Sequence, residues 1–277
     1  MRAYRIAYDG RPYYGFQRQP DVPTVEDAIF DALDALDVFA GEKPASYAAA
    51  GRTDAGVSAL AQTIAFEAPD WLSPAALNSE LPATVRAWAS SDVPDGFHAT
   101  HHATQRRYTY HLHAPEADAG LAREAIQRLS GGHDFHNLTP DDDGTVRTLQ
   151  VHLAVDGPFF VLTVSAGGFA RQLVRRLVSL VAAVARDKRP LGDVERVLAE
   201  EPLDGPRGVA PAPAQPLVLA GVTYGPSDAL PDGIGFDVDV EAAESARQVF
   251  EATRVEHVTA GRVAGQLVAG VDAAIDD

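Results

Sequence analysis

A strand-like alternation followed by a helical stripe occurs twice along this 277-residue chain, and this repeated order restricts the fold more than any other feature. Residues 2–8 alternate as a strand and end in the turn Asp9-Gly10. Thr24 then caps a helix whose apolar stripe is Val25, Ile29, Leu33 and Leu36. Strands are expected over 46–50, 63–66 and 85–89, with a short helix opened by Ser73-Pro74. The second round has a strand over 107–113 and a helix over 119–129. A hairpin follows, 148–155 with 159–164 around Asp156-Gly157, and then a helix over 169–185. A short helix over 193–199 and a strand over 217–224 close it, with a proline-rich loop, 206–216, between them. Links of hairpin length predict two α+β units of mainly antiparallel sheet, not a doubly wound parallel one. After Pro226 two alanine- and valine-rich helices are expected, over 241–252 and 257–275.

The chain has no apolar run of membrane-spanning length and no charged-then-apolar leader, so a soluble, cytoplasmic protein is expected. Zero cysteines exclude disulfides, zinc–thiolate sites and thiol nucleophiles. Asp plus Glu number 39 against 23 Lys plus Arg, a net charge of −16, and the only lysines are Lys43 and Lys188. Such a charge repels nucleic acid in dilute buffer. In roughly 1 M salt the Debye length shrinks to about 3 Å and that repulsion no longer reaches a partner. An acidic, lysine-poor surface is therefore the expectation for a protein of a salt-accumulating halophile.

The segment Gly51-Arg52-Thr53-Asp54-Ala55-Gly56 places an acid and a base inside a glycine bracket. Glycine takes positive φ without steric cost, so this loop can hold Asp54 outside the ladders and facing a cleft, with Arg52 close enough to keep it ionised. An ordinary turn carrying a surface ion pair fits the same residues. Arg171 and Arg175, four apart, put positive charge on one side of the expected 169–185 helix, while Leu173, Leu177, Leu180, Val181 and Val184 bury the other. His98, His101 and His102 cluster, and His111 and His113 share a strand face. Their spacing matches no recognised metal site, and no metal is expected.

Five stretches, in order, resemble the TruA family of tRNA pseudouridine synthases. They are Tyr8-Asp9-Gly10 with Tyr13-Tyr14-Gly15-Phe16-Gln17-Arg18-Gln19; the loop 51–57; Phe97-His98-Ala99 with Arg107-Tyr108-Thr109-Tyr110; Gly168-Phe169 with Leu173-Val174-Arg175-Arg176; and Ala212-Pro213-Ala214 with Val222-Thr223-Tyr224. The chain departs from the family's pattern at Ser58, Thr100 and Pro216, where members commonly carry His, Arg and Gly. The resemblance, which spans roughly residues 4–224, implies two ferredoxin-like halves, 1–100 and 101–228, whose sheets join side by side around an active-site cleft. The helical extension, 229–277, is read from the residues alone and its role stays open. It implies that Asp54 is the catalytic aspartate, Tyr108 the active-site tyrosine that stacks on a flipped-out uracil, and Arg175 the counter-ion. Arg11, Gln17, Arg18, Arg52, His98, Arg107 and Arg171 become substrate contacts, with Arg106 at the mouth. The reaction implied isomerises uridine to pseudouridine at tRNA positions 38–40, in the anticodon arm, with no cofactor, by a homodimer in which one tRNA touches both subunits. Two rival readings are a non-catalytic RNA-binding module on the same scaffold and a hydrolase using Asp54 with His98.

Overall fold

The computed structural model describes residues 1–203 and 208–276; Pro206 and Arg207 of the proline-rich loop, and Asp277, lie outside them. The first round of the pattern folds as β1 (Arg2–Tyr8), α1 (Val25–Ala35), β2 (Ala48–Ala49), β3 (Ser58–Phe66), α2 (Pro74–Asn78) and β4 (Val85–Asp92). The second folds as β5 (Gln105–His113), α3 (Ala119–Leu129), β6 (Gly131–Asp134), β7 (Val146–Asp156), β8 (Phe159–Ala166), α4 (Leu173–Ala185), α5 (Asp193–Val197) and β9 (Leu217–Thr223). A two-residue strand β10 (Asp237–Val238) and the helix α6 (Val240–Asp276) end the chain.

Among the described residues the strands form one mixed sheet in the order β10-β4-β1-β3-β9-β5-β8-β7-β6, with β2 paired to β3. Every pairing is antiparallel except β3 with β9, a short parallel seam at Ser58↔Val218 and Ala59↔Leu219. That seam divides two cores. One packs Tyr4, Ile6, Ile29, Leu33, Ile64 and Phe66 beneath the first round of strands. The other packs Leu129, Leu149, Leu162, Leu177 and Val181 beneath the second. The local signals behave as physics requires: Thr24 Oγ1 accepts the Asp27 N–H at 3.2 Å and starts α1, and Gly157 turns the β7–β8 hairpin at φ +53°.

Three expectations need correction. The helix expected over 169–185 begins only at Leu173, because Gln172 sits at φ +60°, outside helical space; Arg171 therefore precedes the helix instead of sharing a face of it with Arg175. The strand expected over 46–50 shrinks to β2, since Ser46 is also left-handed, at φ +57°. The two tail helices are one. Residues 253–256 contain neither Gly nor Pro, so nothing interrupts the α-helical ladder across them. At 1.5 Å per residue, the 37 residues of α6 run about 55 Å. Ala242 and Ala246 bury against the body, Asp239 Oδ1 caps the Ala242 N–H at 3.0 Å, and from Arg254 to Ile275 the helix is exposed.

Candidate active site

The glycine-bracketed loop leaves β2 and returns as β3, and the N-terminal box is stitched along it. Phe16 N–H donates to the Thr53 carbonyl at 3.1 Å, Gly56 N–H to the Tyr13 carbonyl at 3.2 Å, and the Tyr8 hydroxyl lies 2.8 Å from Thr53 Oγ1. Two glycines of that box permit the approach. A Cβ on Gly15 (φ +110°) would stand 3.0 Å from the Thr53 carbonyl oxygen, and one on Gly10 would stand 2.0 Å from that of Val57. The bracket itself is asymmetric: Gly56 takes φ +80°, whereas Gly51 has no positive φ, has open space around it, and offers its carbonyl to Gln62 Nε2 at 2.7 Å.

Held this way, Asp54 faces a cleft of about 2030 Å³ between the two halves of the sheet. Arg175, in the first turn of α4, donates from Nη1 to Asp54 Oδ2 at 2.9 Å and from Nε to the Ala212 carbonyl at 2.7 Å. The pair is only partly shielded, Asp54 30% and Arg175 15% exposed, so the carboxylate has a fixed counter-ion and still meets the cleft. Arg52 does not play that part. Its side chain is exposed and lines the cleft, and among the described residues it makes no ion pair with Asp54.

Tyr108, on β5, lines the same cleft, and the ring of Phe169 meets its ring edge-on at 5.2 Å between centroids. Burial, with a smaller contribution from the Asp54 charge, pushes the phenol up to about 12 against a downward pull from Arg106, so the ring is neutral and keeps its O–H at working pH. Strand alternation puts Arg106 on the Tyr108 side of the sheet and Arg107 on the opposite side, where its guanidinium covers Gly221. Arg107 therefore lies away from the cleft.

The remaining expected contacts divide in the same manner. Gln17, Arg18, His98 and Arg171 line the cleft. Arg18 is paired with Asp27 at 2.8 Å, and Arg171 with Asp141 at 3.1 Å. His98 lies ring to ring with His101 at 4.1 Å, and burial, then the neighbouring His101 and His102, lower its pKa from the ordinary value. Arg11 does not line the cleft; it is held by Asp9 and by His257 of α6. Thr100, where the family commonly has arginine, donates to the Ala49 carbonyl at 2.5 Å. Among the described residues no group of three or more His, Asp or Glu is placed to hold a metal ion. Sequence reasoning passed over Lys43, Arg147 and Phe169 as cleft residues; the Gly-Gly-Phe turn before α4 was the available signal for Phe169. Arg147 lies in β7 but just ahead of the strand expected over 148–155, and Lys43 lies in an irregular link, where periodicity indicates no facing direction.

The charge of this lining differs from that of the protein. Seven basic residues (Lys43 and Arg18, 52, 106, 147, 171 and 175) face six acidic ones (Glu26, Asp31, Asp34, Glu42, Asp54 and Asp141) in a chain of net charge −16. The cleft lining is thus close to neutral in a strongly acidic protein, so it opposes a polyanion less than the rest of the surface does.

The family described as tRNA pseudouridine synthase matches residues 125–225. The tRNA pseudouridine synthase A of Natronomonas pharaonis is 60% identical over 270 residues, covering 96% of this chain and 98% of that one. Those of Haloarcula marismortui and Halobacterium salinarum are 54% and 55% identical, over 98% and 96% of this chain and 100% and 98% of theirs. The chain belongs to the tRNA pseudouridine synthase A family and is an isomerase. A solved archaeal box H/ACA sRNP Nop10–Cbf5 complex superposes with a TM-score of 0.33 at 15% identity, over 64% of this chain and 44% of that one, a likeness too loose to bear on the fold. No described helix is long and apolar enough to cross a membrane.

The three relatives come from halophilic archaea, which accounts for the acidic, lysine-poor composition. Lowering the salt from molar to millimolar restores repulsion among the 39 acidic residues, and far-UV circular dichroism is expected to show loss of the fold. An unchanged spectrum in dilute buffer would contradict this.

Proposed function

We propose that the protein converts uridine to pseudouridine in tRNA, at positions 38–40 of the anticodon arm, with Asp54 as the catalytic carboxylate. The observation that carries this reading is the Asp54–Arg175 pair, 2.9 Å apart, beside the neutral Tyr108 ring in a cleft with more basic than acidic side chains. The isomerisation breaks the N1–C1′ bond of uridine, turns the base and forms a C5–C1′ bond; the C5 hydrogen leaves to solvent and N1 gains a proton. No electrons are exchanged. An ionised carboxylate serves either as nucleophile at C1′ or as base toward a ribose proton, and both routes need it charged. Arg175 keeps it so. A uridine extruded from its stack is received by the Tyr108 face, which Phe169 props from its edge. His98 and the cleft arginines Arg18, Arg52 and Arg171 receive the flanking backbone. The name shared by the relatives supports tRNA as the substrate.

Each half is read as ferredoxin-like. The strand orders β4-β1-β3-β2 and β9-β5-β8-β7, with one helix after the first strand and another before the last, support this. The boundaries 1–100 and 101–228 and a homodimer belong to the same reading through the family resemblance, while the extension 229–277 and a cytoplasmic location rest on the sequence alone. β10 pairs with β4, so the extension starts as a strand on the first half.

The reading is tested by incubating the protein with unmodified tRNA in molar salt and mapping pseudouridine by carbodiimide-dependent primer-extension stops. New stops are expected at the anticodon-arm uridines; correctly folded protein giving none would defeat the reading. Stacking is tested separately by tRNA affinity. A base–aromatic stack contributes about 1–3 kcal/mol, so Tyr108→Ala is expected to weaken binding roughly 5- to 150-fold, while Tyr108→Phe stays near wild type. Equal losses in both would assign the contact to the hydroxyl.

A further inference from the structure

Arg106 is a buried cation, 9% exposed, and among the described residues it has no carboxylate partner. Its planar guanidinium instead reaches three carbonyls from three separate segments. Nε and Nη2 donate to Ala50 at 3.0 and 2.7 Å, Nη1 to Gly167 at 2.7 Å, and Nη2 also to Thr100 at 2.7 Å. Each acceptor stands beside a working part of the site. Ala50 is the last residue before the loop that carries Asp54. Gly167 lies two residues before Phe169, whose ring props Tyr108. Thr100 is two residues after His98 and is tied in turn to Ala49, so the base of the loop is gripped at two consecutive carbonyls. Arg106 itself is two residues before Tyr108 on the same side of β5.

Burying a charge among carbonyls, with no counter-ion, is costly unless its geometry is well satisfied. A rigid fork with donors on three nitrogens meets that condition. The ammonium of lysine carries its three donors on one atom at the end of a flexible stem and cannot match acceptors spread around a guanidinium plane. We propose that Arg106 is a positioning residue for the isomerisation: it sets the distance between Asp54 and the Tyr108–Phe169 platform, and it makes no contact with RNA. The expectation of a basic contact at the cleft mouth is thereby replaced by a geometric role, one that rests on Asp54 and Tyr108 acting as proposed above.

The test compares wild type with Arg106→Lys in molar salt, measuring far-UV circular dichroism, tRNA affinity, kcat and KM for pseudouridine formation. Arg106→Lys is expected to fold, to bind tRNA within about twofold of wild type, and to lose about 100-fold in kcat, the scale of a misplacement of roughly 1 Å between reacting groups. A kcat within about threefold of wild type would overturn the proposal, because charge alone would then suffice. A rise in KM and Kd with kcat kept would also overturn it, since that marks a phosphate contact. If Arg106→Lys does not fold, Arg106→Gln, with a planar two-donor amide, is measured in the same way; failure of both to fold assigns Arg106 to the fold alone and overturns the proposal. Wild-type protein that forms no pseudouridine from this tRNA defeats the functional reading instead, so the two failures are distinguishable.

Discussion

Replacing Asp54 by asparagine is expected to abolish turnover while leaving tRNA bound. The substitution keeps the shape of the side chain and one carbonyl oxygen for Arg175 Nη1, which now lies 2.9 Å from Oδ2. What it removes is the charge, and with it both the nucleophile and the base. A fall in kcat of about 10⁴-fold or more is the scale for loss of an acting carboxylate. Affinity is expected to remain within a few-fold, because the cleft loses one negative charge among many side chains that face the RNA. Single-turnover kinetics with a filter-binding Kd separate the two quantities. Appreciable turnover by Asp54→Asn would remove Asp54 from the chemistry, whereas loss of binding together with turnover would make it a structural residue.

The second large effect lies outside the cleft, at Gly10. A Cβ there would stand 2.0 Å from the Val57 carbonyl oxygen and 2.4 Å from its carbon, so either the N-terminal box or the loop carrying Asp54 must move. Neither gives way easily, since Gly10 N–H donates to Ser58 Oγ at 3.0 Å and its carbonyl accepts the Tyr13 N–H at 3.0 Å. Gly10→Ala is expected to lower kcat by about 100-fold through displacement of Asp54, and to cost roughly 1–3 kcal/mol of stability through overpacking. Gly51→Ala provides the contrast. Its Cβ would meet nothing within 4 Å and its φ is ordinary, so activity within about threefold of wild type is expected. Thermal melts and kcat on both variants check the pair. Equal behaviour would show that the contact between the box and the loop does not set the position of Asp54.

How much of this was legible in the sequence depends on the kind of signal. The helices were legible because their apolar residues keep a period near 3.6, as in the stripe Val25, Ile29, Leu33. Strand β1, by contrast, is buried on both faces and is marked by its bounding turn Asp9-Gly10, not by a strict alternation. Asp54, Tyr108 and Arg175 were legible as motif residues, and the fold brings them to one cleft. Which neighbouring base faces the cleft was harder. Arg106 and Arg107 are adjacent, so only the phase of the strand separates them; Tyr108 fixes that phase and points to Arg106. The start of α4 was missed because a left-handed Gln172 is a tertiary outcome that no propensity encodes. Local sequence offers Arg52 as the neighbour of Asp54, and only the family motif offers Arg175. The fold pairs Asp54 with Arg175, 121 residues away, a long-range contact that leaves no trace in spacing or periodicity.

The central claim is that the Asp54 carboxylate rearranges the glycosidic bond of a tRNA uridine. Forming the C5–C1′ bond expels the C5 hydrogen, so a tRNA anticodon-arm transcript carrying tritium at uracil C5 reports the chemistry directly. In molar salt the wild-type protein is expected to release tritium to water from this transcript, and Asp54→Asn, binding the same RNA, to release none above background. Folded wild-type protein that binds the transcript and releases no tritium would contradict the account.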